Sequence, residues 1–600
     1  MGGKSKSLSF LKRRSNREGT KPHVYDGEEH APSNERPSSQ ARKERINDEK
    51  RAKNDAGVCL WSNLKGKLFI PRFLEDDGHI MNSFTILKII FFSIRGNHYI
   101  CYYLDTDFKL GNIRQFILFG IDCKVEHDQI PQVFRSWAYI YIHYVLSLPF
   151  MLPFERSKVL LFHVLRFMIA LLSLLSDYLL YQSACKRLGN AVGSFFIVIS
   201  IFSVGMFNAS CAFLPSSFGM SMIALSMSFY LQEKWFLSIF FTALAALLGW
   251  PFTAVLGFPI VFEMLVIRYK ILALKFVGYA ALSGVLILIP MYLIDSFYYG
   301  KFTIAPLNIV LYNVFSSHGP NLYGVEDVSY YVKNLILNWN VVLPLAVVSL
   351  PLSIYVYIRN NHTENAEGKS YNVRPAFTIK YWYRIVPLIL IFLSVSLWLI
   401  IFFSQPHKEE RFLFPIFPLI ALLAATTLAG LCYTIPGLRF FFNSGVVLLF
   451  VLLSVSRGYA LHRNFSASIE TYKAFHDHFM FNAGKLDLNG KHNPIRLCVG
   501  KEWHRYPSSF FLPEKAYGLN GDERRIEMRF LESEFLGILP KPFESGSLPN
   551  ITRLIPTEMN DLNKEERSRY VPPESCDFII DLDTGEYTKR EPNWAKQASL

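Results

Sequence analysis

The sequence predicts a mainly α-helical, polytopic membrane fold with a small α/β or β-rich C-terminal domain. Composition comes first: of 600 residues 51% are hydrophobic, including 52 Phe and 31 Tyr, and the mean hydropathy is positive. That is too apolar for a soluble protein of this size. Second, between about residues 80 and 460 long uncharged apolar runs follow one another, as bilayer crossings require. Third, Lys and Arg lie mainly in the N-terminal tail and in short connections between those runs. Despite a formal charge of +13, that is a positive-inside pattern and not a nucleic-acid surface.

Residues 1–56 carry 14 Lys and Arg against 9 Asp and Glu and almost no large apolar side chain, the composition of a disordered basic cytosolic tail. They hold no apolar run of signal-peptide type, and Lys6 stands where a myristoylation motif needs Ser or Thr. Residues 57–134 form an atypical segment. Its candidate first membrane helix, Met81–Ile94, is short and contains Lys88.

The transmembrane domain is expected over residues 135–458. Its apolar spans are Val159–Leu180, Ala191–Phe207, Gly219–Leu231, Trp235–Ile267, Ile271–Ile294, Val341–Ile358, Trp382–Phe403, Phe412–Tyr433 and Ser444–Ser456. Trp235–Ile267 is too long for one helix and is interrupted by Gly249-Trp250-Pro251, so it reads as an up-and-down pair with its tip at a membrane face. The total is about 10–12 membrane helices. Lys186-Arg187, Arg268–Lys275, the Arg359–Arg384 connection and Arg439 share one side, expected to be cytosolic. Residues 208–218, the 249–252 tip, the segment 295–339, residues 405–411 and everything after about 458 then face a lumen.

The lumenal side is where polar residue types gather. Segment 295–339, with Tyr298, Tyr299, Lys301, Asn308, Tyr312, Asn313 and His318, reads as a folded binding loop. Between Ile385–Phe403 and Phe412–Tyr433, both free of charge, stands the run His407-Lys408-Glu409-Glu410-Arg411. Charges in hydrocarbon cost a few kcal/mol each, so this knot must sit at an interface or in a hydrated cavity.

Residues 459–600 are charged, contain Pro, and offer strand-like runs at Pro494–Val499 and Cys576–Leu582. Asp581-Leu582-Asp583 matches a cation-binding Asp-x-Asp pattern but reads more simply as a strand end. The eight cysteines form no CxxC pair and have no His at ligand spacing, so no metal site or other cofactor is indicated; a Cys498–Cys576 bridge stays open if the domain lies in an oxidising lumen. Of the sequons at Asn208, Asn361, Asn464 and Asn550, the last two are lumenal and far enough from the membrane for modification.

His407-Lys-Glu-Glu-Arg-Phe-Leu-Phe-Pro415 resembles the signature of the dolichol-phosphate-mannose-dependent mannosyltransferases, a GT-C family of the endoplasmic reticulum. Asn208–Phe218, Leu248–Phe252, Asp295–Lys301, Ala305–Phe315, Val499–Trp503 and Pro507–Phe510 look like blocks of its alpha-1,2-linking branch. The resemblance covers about Arg135 to Arg590. It implies a multi-pass protein of the endoplasmic reticulum membrane that passes mannose, with inversion, from dolichyl phosphate mannose to dolichyl-diphosphate-linked Man6GlcNAc2 and Man8GlcNAc2. The site then lies at the lumenal interface of the lipid bilayer.

By the same resemblance, His407, Lys408, Arg411 and Lys301 would supply cations for the departing phosphate, with Glu409 or Glu410 orienting them. Tyr298, Tyr299, Asn308, Asn313, His318 and Arg135 would contact donor or acceptor. Inverting transfer also needs a carboxylate base. Family members carry an Asp-Glu pair and a Trp-Glu-Pro stretch in their first lumenal loop; residues 95–134 here have no counterpart, which leaves Asp107 and Asp122 as candidates for the base. Later blocks are intact, so the departure reads as a misassembled stretch of sequence. The family also usually runs further beyond Arg590. An inactive glycolipid-binding relative is the reading that the missing pair permits. A transporter would call for charges near the midplane and an internal repeat, neither of which is present.

Overall fold

The computed structural model describes residues 136–594, apart from 152–157, 316–323, 367–378, 435–438, 502–510, 542–548 and a few shorter gaps; the N-terminal tail, the segment 57–134 and Arg135 lie outside it. Among the described residues fifteen α-helices precede the C-terminal domain. They are α1 (Trp137–Met151), α2 (Lys158–Leu188), α3 (Asn190–Phe202), α4 (Val204–Ser210), α5 (Pro215–Leu231), α6 (Trp235–Leu244), α7 (Phe258–Phe262), α8 (Tyr269–Tyr299), α9 (Ala305–Phe315), α10 (Val328–Trp339), α11 (Val342–Val347), α12 (Ser349–Ala366), α13 (Ile379–Ser404), α14 (Phe417–Thr434) and α15 (Arg439–Phe465).

Among the described residues five helices are long and apolar enough to cross a membrane, six if the bent pair α3–α4 counts as one span. The remaining apolar runs are cut into pieces that fall below crossing length singly. Two π-helical turns, Ala245–Gly249 and Glu263–Ile267, and a 3-10 stretch, Pro251–Gly257, divide the Trp235–Ile267 run. That run does fold back on itself: an added Cβ at Gly257 would stand 2.8 Å from Thr242 Cγ2, and Arg268 pairs with Glu233 at the open end. The protein is a multi-pass membrane protein.

Burial sorts the spans. The segment Glu410–Cys432, whose helical core is α14, is 94% buried in its apolar window, whereas α8 and α15 are each 17% buried. The first is the hub of the bundle. The other two present Leu274, Ile289, Leu293, Leu448 and Leu452 outward, as lipid-facing helices do. Small and hydroxyl residues mediate close helix contacts: Ser183 and Ser228 join α2 to α5 at 2.8 Å, and Ser226 and Thr242 join α5 to α6 at 2.7 Å.

Segment 295–339 is not the folded loop expected from its Tyr, Asn and Pro content. Tyr298 and Tyr299 end α8, whose C-cap is the left-handed Gly300, and α9 and α10 take up most of the rest. The start signals were present: Pro306 lies in the first turn of α9, and Asp327 caps α10 by accepting from Ser329 N.

Helix α16 (Ala467–Phe481) leads into the C-terminal domain, whose strands are β1 (Ile495–Val499), β2 (Lys515–Tyr517), β3 (Glu523–Phe530) and β4 (Phe578–Ile580), with the short helix α17 (Asn550–Arg553) between β3 and β4. Sheet order is β2-β3-β1-β4. β1 runs parallel to β3, with Ile495 opposite Ile526, and parallel to β4, with Leu497 opposite Phe578. Phe475 and Phe479 of α16 pack on Phe578. A Cys498–Cys576 disulfide with a Cα separation of 5.8 Å ties β1 to the approach of β4.

Candidate active site

Blocks far apart in sequence meet around the knot because glycines let backbones approach. An added Cβ at Gly219 would stand 3.1 Å from Thr253 and 4.0 Å from Pro415; one at Gly249 would stand 3.1 Å from Phe218 and 3.2 Å from Pro215 O. So the block 208–218, the 249–252 tip and the knot form one corner. Trp250 lines it: its ring stacks on Phe412 at 5.0 Å and meets Trp398 edge-on at 5.7 Å. Trp398 in turn donates to Phe412 O at 3.1 Å. On the far side of Phe218, Tyr139 of α1 makes an edge contact at 5.8 Å.

Within the knot the charges divide their work. Lys408 is 6% exposed, and its ammonium donates to Glu326 O at 2.9 Å, Gln405 O at 2.5 Å and Pro406 O at 3.5 Å. With three carbonyls around three N–H donors, it clamps the start of α10 to the knot. Expected as a cation for the phosphate, it directs its donors to backbone carbonyls here. Glu326 N donates to Pro406 O at 3.0 Å and completes the clamp.

His407 adds to the clamp and to the charge. Nδ1 lies 2.8 Å from Gly324 O, and Nε2 lies 2.9 Å from Glu409 Oε1. Both neighbours are acceptors, so the site favours the protonated ring, in which both nitrogens donate. Burial alone would lower its pKa, but the hydrogen bonds to Glu409 and Gly324 and the Glu409 charge raise it above the ordinary value. Glu409 also receives Arg411, through Nη2 at 2.9 Å and through a close Nε contact. Burial would raise the Glu409 pKa; the Arg411 charge and the His407 and Arg411 hydrogen bonds overcome that and bring it down to about 2. With His407 protonated, these three side chains together carry one net positive charge. Arg411, with its side chain 26% exposed, is the more open of its two cations.

Glu410 points the other way and accepts from Asn338 of α10 at 2.8 Å. Asn338 was not singled out by its sequence context, which is an unremarkable Leu-Asn-Trp.

A second corner forms where α8 ends. Asp295 is fully buried and accepts from Ser136 Oγ at 3.0 Å and Trp137 N at 2.6 Å, so it caps α1 from another helix. Tyr298 stacks on Trp137 at 4.7 Å and shares a 2.5 Å hydrogen bond with Tyr141. Tyr299 lies 6.4 Å from Trp137. Asp295 is the one acid in the 31-residue α8 and was not among the residues expected in the site. An ionisable residue inside a span was the available signal.

The other candidates scatter. Lys301 is exposed just past Gly300. Asn308 is half-buried on α9, while Asn313 turns back to Ile309 O of its own helix at 2.8 Å. Arg135, His318, Asp107 and Asp122 lie outside the described residues. Asp581 accepts from Lys501 N and Asp583 from Tyr587, so both serve turns at strand ends. Among the described residues no group of three or more His, Cys, Asp or Glu is placed to hold a metal ion.

The membrane domain has the GT-C glycosyltransferase fold. The crystal structure of ArnT from Cupriavidus metallidurans bound to undecaprenyl phosphate superposes with a TM-score of 0.50 at 11% identity, over 72% of this chain and 84% of that one. Residues 126–513 match the Alg9-like mannosyltransferase family, and the chain belongs to it. It is 42% identical to alpha-1,2-mannosyltransferase algn-9 of Caenorhabditis elegans, over 78% of this chain and 76% of that protein. Human alpha-1,2-mannosyltransferase ALG9 is 37% identical over 82% and 77%, and that of Saccharomyces cerevisiae 29% over 75% and 74%.

Proposed function

We propose that this protein transfers mannose, with inversion and in alpha-1,2 linkage, from dolichyl phosphate mannose to dolichyl-diphosphate-linked Man6GlcNAc2 and then Man8GlcNAc2, in N-glycan precursor assembly at the endoplasmic reticulum membrane. The observation that carries it is the meeting of the family's blocks around the His407–Glu409–Arg411 triad. A net positive corner between spans suits a phosphate whose lipid stays in the bilayer while its sugar projects out.

In this reading Arg411 meets the dolichyl phosphate as the bond to the mannosyl anomeric carbon breaks and negative charge gathers on the leaving oxygen. Glu409 sets the guanidinium plane, and His407 holds Glu409 in turn. Lys408 keeps the start of α10 against the knot. The acceptor hydroxyl attacks from the opposite face, and a carboxylate takes its proton. The 498–576 disulfide supports a lumenal C-terminal domain, since such bonds persist in oxidising compartments. Full-length protein in nanodiscs, given radiolabelled dolichyl phosphate mannose and the Man6GlcNAc2 lipid, should yield a Man7GlcNAc2 product that an alpha-1,2-specific mannosidase trims. Absence of transfer with a verified folded sample would overturn the reading.

A further inference from the structure

The last turn of α8 is held from both sides. A helix leaves its final carbonyls without intrahelical partners, and here Gly300 N takes only Ser296 O, at 2.9 Å. The next two carbonyls are taken by the C-terminal domain. Arg553 Nη2 donates to Phe297 O at 2.8 Å, and Thr552 Oγ1 donates to Tyr298 O at 2.6 Å, sharing its proton with Pro549 O at 2.7 Å. Ile551, just before them, is buried in the apolar core that the membrane domain shares with the C-terminal sheet.

Two further contacts make the dock specific. The Arg553 guanidinium stands 5.9 Å above the Phe297 ring, and at Gly300 (φ +67°) an added Cβ would lie 2.8 Å from Arg553 Cδ. A cation at a helix C-terminus also matches the helix dipole.

The opposite side of the same turn holds α1, through Asp295 on Ser136 and Trp137 and through Tyr298 on Trp137 and Tyr141. α1 in turn packs Tyr139 and His143 on Phe213 and Phe218, beside the 249–252 tip. Along its length α8 is among the least buried spans, 17% of its apolar window, while Asp295 and Tyr298 in its last turn are buried. The contacts at this end therefore do much to set its place.

We propose that Thr552 and Arg553 are positioning residues for the transfer reaction. From the C-terminal domain they fix the last turn of α8, and through Asp295 and Tyr298 they fix the start of α1 against the reaction corner. This rests on the function proposed above. Small displacements of positioned groups lower the chemical step more than binding, so the effect falls on kcat.

The test uses full-length protein in nanodiscs. Arg553→Met and Thr552→Val should lower kcat by about 5–50-fold with KM for both lipids within about twofold, while Thr552→Ser and, in part, Arg553→Lys restore it. Thr552→Val also removes the Asn550 sequon. Asn550→Gln, which removes the sequon and keeps the hydroxyl, should match wild type. Hydrogen exchange supplies a readout independent of activity: peptides over 136–141 and 295–300 should exchange faster in Arg553→Met, and those over 405–411 should not. Unchanged exchange at 136–141 would overturn the inference even if wild-type protein transferred no mannose, an outcome that would sink only the proposed function. Unchanged kcat in an active enzyme would overturn it as well.

Discussion

The hairpin formed by Trp235–Ile267 has a charged cluster at each end, and the two are built differently. At its open end Arg268 pairs with Glu233 twice at 3.1 Å and with Glu263 at 2.7 Å, Arg187 reaches Glu233 at 3.2 Å, and Tyr230 donates to Glu263 at 2.5 Å. Among the described residues two guanidinium groups face two carboxylates, and these four charges balance. At the tip, beside Trp250, the knot has a lysine turned to backbone and a triad that sets two cations on one carboxylate. A balanced cluster staples helices; an unbalanced one, held rigid by clamps, can receive a charged partner. Counting charges in the sequence does not separate the two, whereas the destination of each hydrogen bond does.

That contrast can be broken from either end. Arg411→Ala should cost roughly 10²–10³-fold in transfer, the scale seen when a stabilising donor at a reacting centre is removed. The thermal midpoint should stay close to that of wild type, so a matching loss of folded protein would make Arg411 a second staple. Arg268→Ala is expected to do the reverse. Glu263 is 2% exposed, and orphaning it should destabilise the protein by about 3 kcal/mol. Turnover per folded molecule should hold, as measured by activity normalised to monodisperse protein.

Lys408→Met should act between these extremes. With three carbonyls losing their donor, transfer should fall about tenfold and proteolysis near Gly324–Asp327 should quicken. Tenfold loss without faster cleavage would return Lys408 to the phosphate. The smallest effect is on pH. The His407 pKa is raised, so the stability it adds is complete below about 6.5 and lost as pH rises through its higher folded value. Glu409, lowered to about 2, adds stability that is complete above about 4.5 and lost as pH falls towards that value. Thermal midpoints should therefore plateau between these limits, and His407→Gln should flatten the alkaline limb. An unchanged limb would mean that His407 is not the titrating group.

Much of this was legible in the sequence. Apolar runs marked the spans, Gly249-Trp250-Pro251 marked the hairpin tip, and the run 407–411 marked the corner, since each depends on local composition. Strands β1 and β4 fell within the runs expected at 494–499 and 576–582. What could not be read was direction. Nothing local distinguishes Lys408, which caps carbonyls of Gln405, Pro406 and Glu326, from Arg411, which faces Glu409. Tyr298 looked like a loop residue because α8 outlasts its apolar core by one polar turn. Asp295 was visible as a lone acid, but its service to α1 depends on a contact spanning 158 residues. The sequon at Asn208 shows the same limit, for the structure buries it at 5% exposure on α4.

The dock of Thr552 on Tyr298 also sets a schedule for biosynthesis. The two residues are 254 apart in the chain, and a ribosome adding about 5–20 residues per second needs on the order of tens of seconds to cover that distance. For that interval the last turn of α8 has been made while its cap has not, and its carbonyls must be served by water or by a chaperone. A nascent chain arrested between residues 300 and 550 is therefore a natural place to look for a protein that attends this enzyme only while it is being made.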